Sequence, residues 1–477
     1  MSHLDTDGAR AISEAPPPLT RAALSLAVLL PLVDADVLLG WRWAGALATP
    51  LLIVYFVCCW PRIMVTAKAL LLLCCALGLL VLLRPSGGDT LLAALSRMTF
   101  FPAFVAALAL LRAAADASAT VERAGRLLVN QPPSRRYAAL TAGGHIFGIL
   151  LNIGGLALLL DMTKRANTLD AAFGEVRVVE LREKRMTLAV LRGFSSIAFW
   201  SPLGLALNLL LACMPDVAWA DVAPYGFAAA VLFMALGLVF DLLENPRATR
   251  PRAARADPGG AWAVAALVAH IAALSGLALA AEFLTHFSFQ AILINLVPLY
   301  AVAWLIGSAL RQRRAPLCHA ARTLRDKGVA RWSNYANEIA IFAASGLLGV
   351  ILADLAPRAA LESAIVSLDA PAGVFAAGLS LAVVGAGLLG INPMISASIL
   401  AATLSSITVP GLSEANILLA LAGGWACIIG FGPLMSSLVM ASAVIGRPPA
   451  LVGLKWNGRF VPAAILLWCL ALLLVRI

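Results

Sequence analysis

The chain has 477 residues, 61% of them hydrophobic and 13% charged, with a formal net charge of +10. Soluble domains carry about 25% charged residues, so this composition excludes a soluble globular protein, which could not cover so much apolar surface. The basic residues fall in short loops between apolar runs, the distribution that orients a membrane protein, and no nucleic-acid partner is expected.

Residues 1–21 are polar, contain Pro16, Pro17 and Pro18, and read as a disordered cytoplasmic tail without the pattern of a cleavable signal. Apolar segments follow at 22–40, 44–60, 64–83, 90–111, 137–160, 187–212, 224–243, 261–283, 288–310, 336–355, 373–406, 414–442 and 459–476. About 20 such residues cross ~30 Å of hydrocarbon as a helix. Eight cysteines are present, with no metal-ligand spacing among them; they read as small apolar fillers.

Loop charge then sets orientation. Arg112, Arg123, Arg126, Arg135 and Arg136 precede segment 137–160, and Lys164, Arg165, Arg177, Arg182, Lys184, Arg185 and Arg192 follow it. Both flanks are basic, so the segment begins and ends on the cytoplasmic side, which a re-entrant helical hairpin does and a simple span does not. The charged stretch 161–186 reads as an amphipathic surface helix, and the basic stretch 312–330 as a second interfacial arm. Segment 373–406 has no basic excess on either side and holds Asn392-Pro393 at its middle, so it reads as a second hairpin, entered from the opposite face. The basic linker (Arg247, Arg250, Arg252, Arg255) and the 311–331 loop go inside; the 213–223 loop, with Asp216 and Asp221, goes outside.

The expected fold is an all-α polytopic membrane protein of about eleven transmembrane helices plus two re-entrant hairpins. Its divisions are the tail at 1–21, an extra helix at 22–43, a first repeat at 44–243, a linker at 244–260 and a second repeat at 261–477. The parity of the two repeats is reversed, so they are inverted copies. A residue pattern supports this. Gly193-Phe194-Ser195-Ser196-Ile197-Ala198-Phe199-Trp200-Ser201-Pro202 and Gly424-Trp425-Ala426-Cys427-Ile428-Ile429-Gly430-Phe431-Gly432-Pro433 both read Gly-aromatic-x-x-Ile-x-x-aromatic-small-Pro.

Gly and Pro in these segments predict helix breaks. A break in a membrane exposes backbone groups that need partners, and half-helix N-termini favour anions. Two breaks facing two hairpin tips form a binding site near the midplane. The candidate substrate ligands are Asn152, Asn392 and Pro393 at the tips; Ser195, Ser196, Ser201 and Pro202 at the first break; Gly432, Pro433 and Ser436 at the second; and Arg97, a membrane-embedded cation. Each Asn also reads as a helix cap. His145 and Glu338 are the candidates for handling a coupling ion. Asp34 and Asp36 belong to the extra helix and stay outside the site.

With Asn152 and Asn392 at the tips and the two Gly-to-Pro breaks, the chain from about 44 to 476 resembles the ion transporter superfamily, which includes dicarboxylate, citrate and arsenite carriers. The dicarboxylate branch carries Ser-Asn-Thr at both tips; here Leu151-Asn152-Ile153 and Ile391-Asn392-Pro393 share only the Asn. The resemblance implies a homodimer whose hairpins and broken helices move against a fixed scaffold like an elevator. The expected function is secondary transport of a small anion across a bacterial inner membrane, coupled to H+ or Na+, with the N-terminus cytoplasmic and no cofactor beyond a bound Na+. The rival readings are a membrane enzyme acting on a lipid-linked substrate and a non-transporting assembly subunit. The histidines are scattered and no nucleotide-binding loop is present, so neither an enzyme nor an ATP-driven pump is expected.

Overall fold

A computed structural model describes residues 20–85, 87–245, 259–285, 287–355 and 357–474. The tail at 1–19 and the linker arginines Arg247, Arg250, Arg252 and Arg255 lie outside the described residues. The regular structure of the described residues is helical throughout.

The chain opens with α1 (Arg21–Leu39), α2 (Arg42–Cys59), α3 (Val65–Leu82) and α4 (Gly87–Asp116). A short helix, α5 (Ala119–Val129), leads to α6 (Pro133–Leu151) and α7 (Ile153–Ala166), which pack on each other about a turn at Asn152. Next come α8 (Val176–Ser195), a 3₁₀ turn to Phe199, α9 (Leu205–Cys213) and α10 (Trp219–Glu244). The second half holds α11 (Gly260–Leu284), α12 (Phe289–Arg311), α13 (Pro316–Thr323), α14 (Ala336–Leu355) and α15 (Arg358–Ser367). It closes with α16 (Ala372–Leu388), α17 (Pro393–Leu404), α18 (Glu414–Ile429), α19 (Ser436–Ile445) and α20 (Phe460–Leu474).

Among the described residues, eight helical stretches are long and apolar enough to cross a membrane alone. The helix breaks expected within two of the spans are present. Segments 187–212 and 414–442 are each two helices, α8 with α9 and α18 with α19, separated at 200–204 and 430–435. The last, α20, has 15 residues, about 22 Å at 1.5 Å per residue. Wide apolar belts remain open, with Phe283, Leu284 and Leu83 about four-fifths or more exposed. In water such patches would drive aggregation; in a bilayer they meet lipid. The protein is a polytopic α-helical membrane protein.

Two helices sit at the centre. The apolar window of α4 is 89% buried, against 28% for α10 and α11, so α4 is wrapped by protein and the others face outward. α4 packs along α14, where Gly346 of α14 lies against the Arg97 carbonyl and the Phe101 ring. The extra helix α1 is tied to this centre through its two acids: Asp34 accepts from Asn295 Nδ2 at 3.2 Å, and Asp36 accepts from Ser96 Oγ. Both acids are therefore structural.

Neighbour contacts recur in pairs. α4 lies on α12, and α14 on α3; α6 lies on α8, and α16 on α18; α7 meets α19, and α17 meets α9. The glycine that opens each repeated motif marks one of these pairs. A Cβ on Gly193 would stand 1.9 Å from the Thr141 carbonyl oxygen on α6, and one on Gly424 would stand 2.5 Å from the Ser380 carbonyl oxygen on α16. Only glycine permits the broken helix to seat that closely on the hairpin arm.

Three expectations need correction. Residues 161–186 are not one surface helix: α7 runs on to Ala166, and α8 begins at Val176 and continues unbroken into the core. Two charges farther along α8 are paired across the fold. Arg185 bonds Asp241 on α10 at 2.8 and 2.6 Å, and Glu183 holds Arg447 beyond α19 at 2.7 Å, raising the pKa of that guanidinium. The basic stretch after 111 contains α5, whose Val121, Ala124, Leu128 and Val129 form a buried stripe at helical spacing. The acidic flank of the second hairpin contains α15, bent 113° from α16.

Candidate functional site

Four helices of the described structure begin at one cavity of about 110 Å³. Its wall contains Asn152 and Ile153 at the start of α7, and Asn392, Pro393 and Met394 at the start of α17. Gly204, Leu205 and Ala206 contribute the start of α9, and Met435, Ser436 and Ser437 the start of α19. Asn337 and Glu338, from the first turn of α14, complete the polar wall; Phe194, Trp425 and Ile429 are among its apolar members. Glu338 is the only ionisable side chain lining the cavity.

The backbone of the two breaks is satisfied unevenly. Several of its carbonyls find donors inside the protein. Asn208 Nδ2 donates to both Pro202 O and Gly204 O at 2.8 Å, and Trp219 Nε1 to Trp200 O at 3.0 Å. At the second break Asn457 Nδ2 donates to Gly430 O at 2.9 Å, and Ser437 Oγ to Ile429 O at 3.0 Å. The N–H groups that open α9 and α19 have no partner in their own helices, and no acceptor among the described residues meets those of Leu205, Ala206, Ser436 or Ser437. The cavity therefore meets spare donors and the positive ends of four helix dipoles, while some of the break carbonyls are already bonded.

The tip asparagines differ from each other. Asn392 caps α17, its Oδ1 accepting the Met394 N–H at 2.9 Å, which leaves only its NH₂ group free. Asn152 makes no cap bond and holds φ 52°, ψ −136°, a region natural to glycine and strained for other residues. Among the described residues, its side-chain amide has no hydrogen-bond partner. Asn337 is held by the Met64 N–H at 3.3 Å on its Oδ1, so its NH₂ is also available. Three amides with spare donors surround one cavity.

Of the expected site residues, Asn152, Asn392, Pro393, Ser436 and Glu338 line this cavity, and the others stand apart from its wall. Arg97 lines a different cavity, with Asp216, Glu282 and Gln290, and donates to Ala212 O at 2.8 Å, the last turn of α9. Ser195 and Ser201 are fully buried behind the first break, their hydroxyls unpaired. Ser196 donates to Gly193 O at 2.7 Å. Pro202 takes part through its carbonyl, bonded to Asn208. Gly432 packs near Met435 and the Gly387 carbonyl, and Pro433 follows it in the bend.

His145 belongs to a closed chain of bonds. Trp200 Nε1–H can only donate, so His145 Nε2 accepts it at 3.2 Å. Ser196 spends its hydroxyl proton on Gly193 O, so His145 Nδ1–H donates to Ser196 Oγ at 2.8 Å. The ring is thereby fixed as the neutral Nδ1–H tautomer and stacks on Trp200 with centroids 5.9 Å apart. His145 is not among the residues lining the cavity.

Five cavity residues, Phe194, Ile197, Ala198, Trp425 and Ile429, were quoted in the repeated motif without being assigned to the site. Phe194 and Trp425 occupy its second position in each copy, and both line the cavity. Being the same position of a repeated motif was the signal. Arg192, one residue before the first motif, was read only as part of a basic loop. It is fully buried, donates to Asn457 Oδ1 and Tyr137 Oη at 2.9 Å each, and lies 4.1 Å over the Phe460 ring. Since Asn457 also holds Gly430 O, Arg192 links the first broken helix to the second break.

No protein-family model matches the chain, and no curated protein sequence matches it. Among solved structures, it is similar to the crystal structure of the Alcanivorax borkumensis YdaH transporter, at 16% identity over 86% of this chain and 96% of that one, with a TM-score of 0.49. By its own helices and cavity, the chain is a polytopic membrane protein with a polar site built where helices stop and restart.

Proposed function

We propose that the chain is a secondary transporter of a small anion, working in a bacterial inner membrane with its N-terminus cytoplasmic. The observation that carries this reading is the meeting of four helix N-termini at one cavity, with spare N–H donors at two of them. A fixed pore lining would not need broken helices; a site that must bind a solute tightly and then release it uses such half-helix ends. The cavity volume suits a small solute, well below the ~300–1,000 Å³ of drug-sized pockets.

The paired contacts support two inverted repeats. Each repeat would hold one hairpin (α6 with α7, α16 with α17) and one broken helix (α8 with α9, α18 with α19). Same-sign flanks on each hairpin support re-entrant entry from opposite faces. In this arrangement the hairpins and broken helices form the moving part and α4 with α14 the core of the scaffold, and movement between them gives elevator-type alternating access. A homodimer would hold the scaffold still. Coupling to H+ or Na+ supplies the driving force.

The test is uptake into vesicles reconstituted with the purified protein, under imposed proton and sodium gradients, across a panel of small anions. Saturable uptake of at least one anion is expected, and its loss in Asn392→Ala. If no anion is taken up under either gradient while a cation or neutral solute is, the reading is wrong.

A further inference from the structure

We infer that Glu338 is the proton-binding group of the cavity, so that an anion and a proton bind there together. The inference rests on the anion reading above and deepens it. Among the described residues, Glu338 is the only ionisable side chain in the wall, it is partly exposed there, no salt bridge engages it, and its carboxylate bonds its own backbone N–H. A carboxylate without a paired cation, in a cavity otherwise built to attract negative charge, opposes the cargo unless it is neutral.

The groups around it do not cancel that charge. Arg112 of α4 is the nearest cation to influence it, but that guanidinium lies over the Tyr335 ring at 5.3 Å. From α2 and the turn after it, Tyr55, Cys59 and Arg62 face the same region. Tyr55 donates to Trp332 O at 2.8 Å, which uses its proton. From α3, Cys74 donates to Ala344 O and Lys68 lies over the Trp60 ring. α17 brings no ionisable residue, and α9 brings only Cys213, which lies by Arg97.

The size of the linkage follows from the size of the cavity. A volume of 110 Å³ is a sphere about 6 Å across, so a bound anion lies about that far from the carboxylate. Two unit charges at ~6 Å with an effective dielectric constant near 20 change affinity about 100-fold. The sign is fixed: protonation of Glu338 favours the anion, and a bound anion favours protonation. Affinity is therefore highest at low pH and falls as pH rises through the titration of Glu338.

The experiment is calorimetric titration of the purified full chain with sulfate and with nitrate, neither of which titrates between pH 5 and 9, in buffers of different ionisation enthalpy. Wild type should lose nitrate affinity with rising pH, up to about 100-fold, and sulfate affinity by more because it is a dianion, and take up close to one proton per anion where binding shifts Glu338 from ionised to protonated. Glu338→Gln should keep the low-pH affinity at every pH and take up no proton. That gain at alkaline pH cannot come from misfolding. A pH-independent wild type, or a Glu338→Gln variant with undiminished proton uptake, overturns the inference and leaves the anion site standing. If wild type binds neither anion at any pH, the anion site and this inference fall together.

Discussion

Replacing Asn152 by glycine separates the two roles an asparagine can have at a hairpin tip. Its backbone sits at φ 52°, ψ −136°, where a non-glycine residue carries about 1–3 kcal/mol of strain. Glycine removes that strain and costs ~0.5–1 kcal/mol in unfolded-state entropy. No cap bond is lost, because the side chain makes none. The variant is therefore expected to melt at or above the wild-type temperature. Binding should suffer, since a hydrogen bond to a charged group contributes about 1.5–3 kcal/mol, or roughly 10- to 150-fold in affinity. Asn152→Ala should lose the same affinity and keep the strain, so it should melt below the glycine variant. The assays are thermal unfolding in detergent and calorimetric anion titration. An Asn152→Gly protein that melts lower and binds unchanged would show that the amide supports the turn and not the ligand.

Gly193→Ala and Gly424→Ala should each lower the unfolding temperature, by about 1–3 kcal/mol or more of overpacking, because the new methyl meets a helix carbonyl at 1.9 and 2.5 Å. Gly276→Ala, with open space around it, should not lower it, and equal melting of all three would refute the close-packing account. Arg192→Met should destabilise by at least about 2 kcal/mol, since it strands Asn457 Oδ1, Tyr137 Oη and Gly237 O; a wild-type melting curve would mean that water or a rearranged neighbour replaces the guanidinium. Arg97→Gln should weaken anion binding only about two- to five-fold, the range of a helix-dipole effect. Loss of binding altogether would return Arg97 to the ligand set.

What the sequence made legible was position along the chain. The Gly-to-Pro motif located both breaks to within a few residues of 200–204 and 430–435, and the Asn-centred segments fell on the paired helices α6 with α7 and α16 with α17. Rotation about a helix axis was not legible. Ser195 and Ser196 were chosen over Phe194 because hydroxyls bind solutes, yet Phe194 is the one of the three that lines the cavity. Depth was equally hidden. Glu338 in a first turn looks interfacial when a helix is assumed to start at the membrane surface. Here the 3₁₀ stretch Val329–Tyr335 leads into α14, and Trp332 within it is buried, donating to Ala106 O at 3.2 Å, so α14 starts inside the protein. α5 and α15 were missed because an amphipathic helix of ten or eleven residues has the charge content of a loop.

Arg97 shows how a residue outside a site can still act on it. α9 has nine residues and is about 13 Å long. Its first turn lines the cavity and its last carbonyls meet the Arg97 guanidinium. The positive and negative ends of a helix dipole partly cancel at any point that feels both, and in a helix this short the cavity feels both. A cation held on the C-terminal end neutralises the opposing half, so the cavity is left with a larger share of the N-terminal field. The equivalent helix, α19, ends at Gly446 with the Gly446 N–H donating to Ser442 O and Lys164 Nζ donating to Val444 O at 2.7 Å. Each half of the site thus has a short helix aimed at the cavity and a cation at its far end. Two unrelated basic residues, one on α4 and one on α7, have come to the same electrostatic position, which follows if what the fold requires there is positive charge behind each donor helix and not a particular side chain in the cavity.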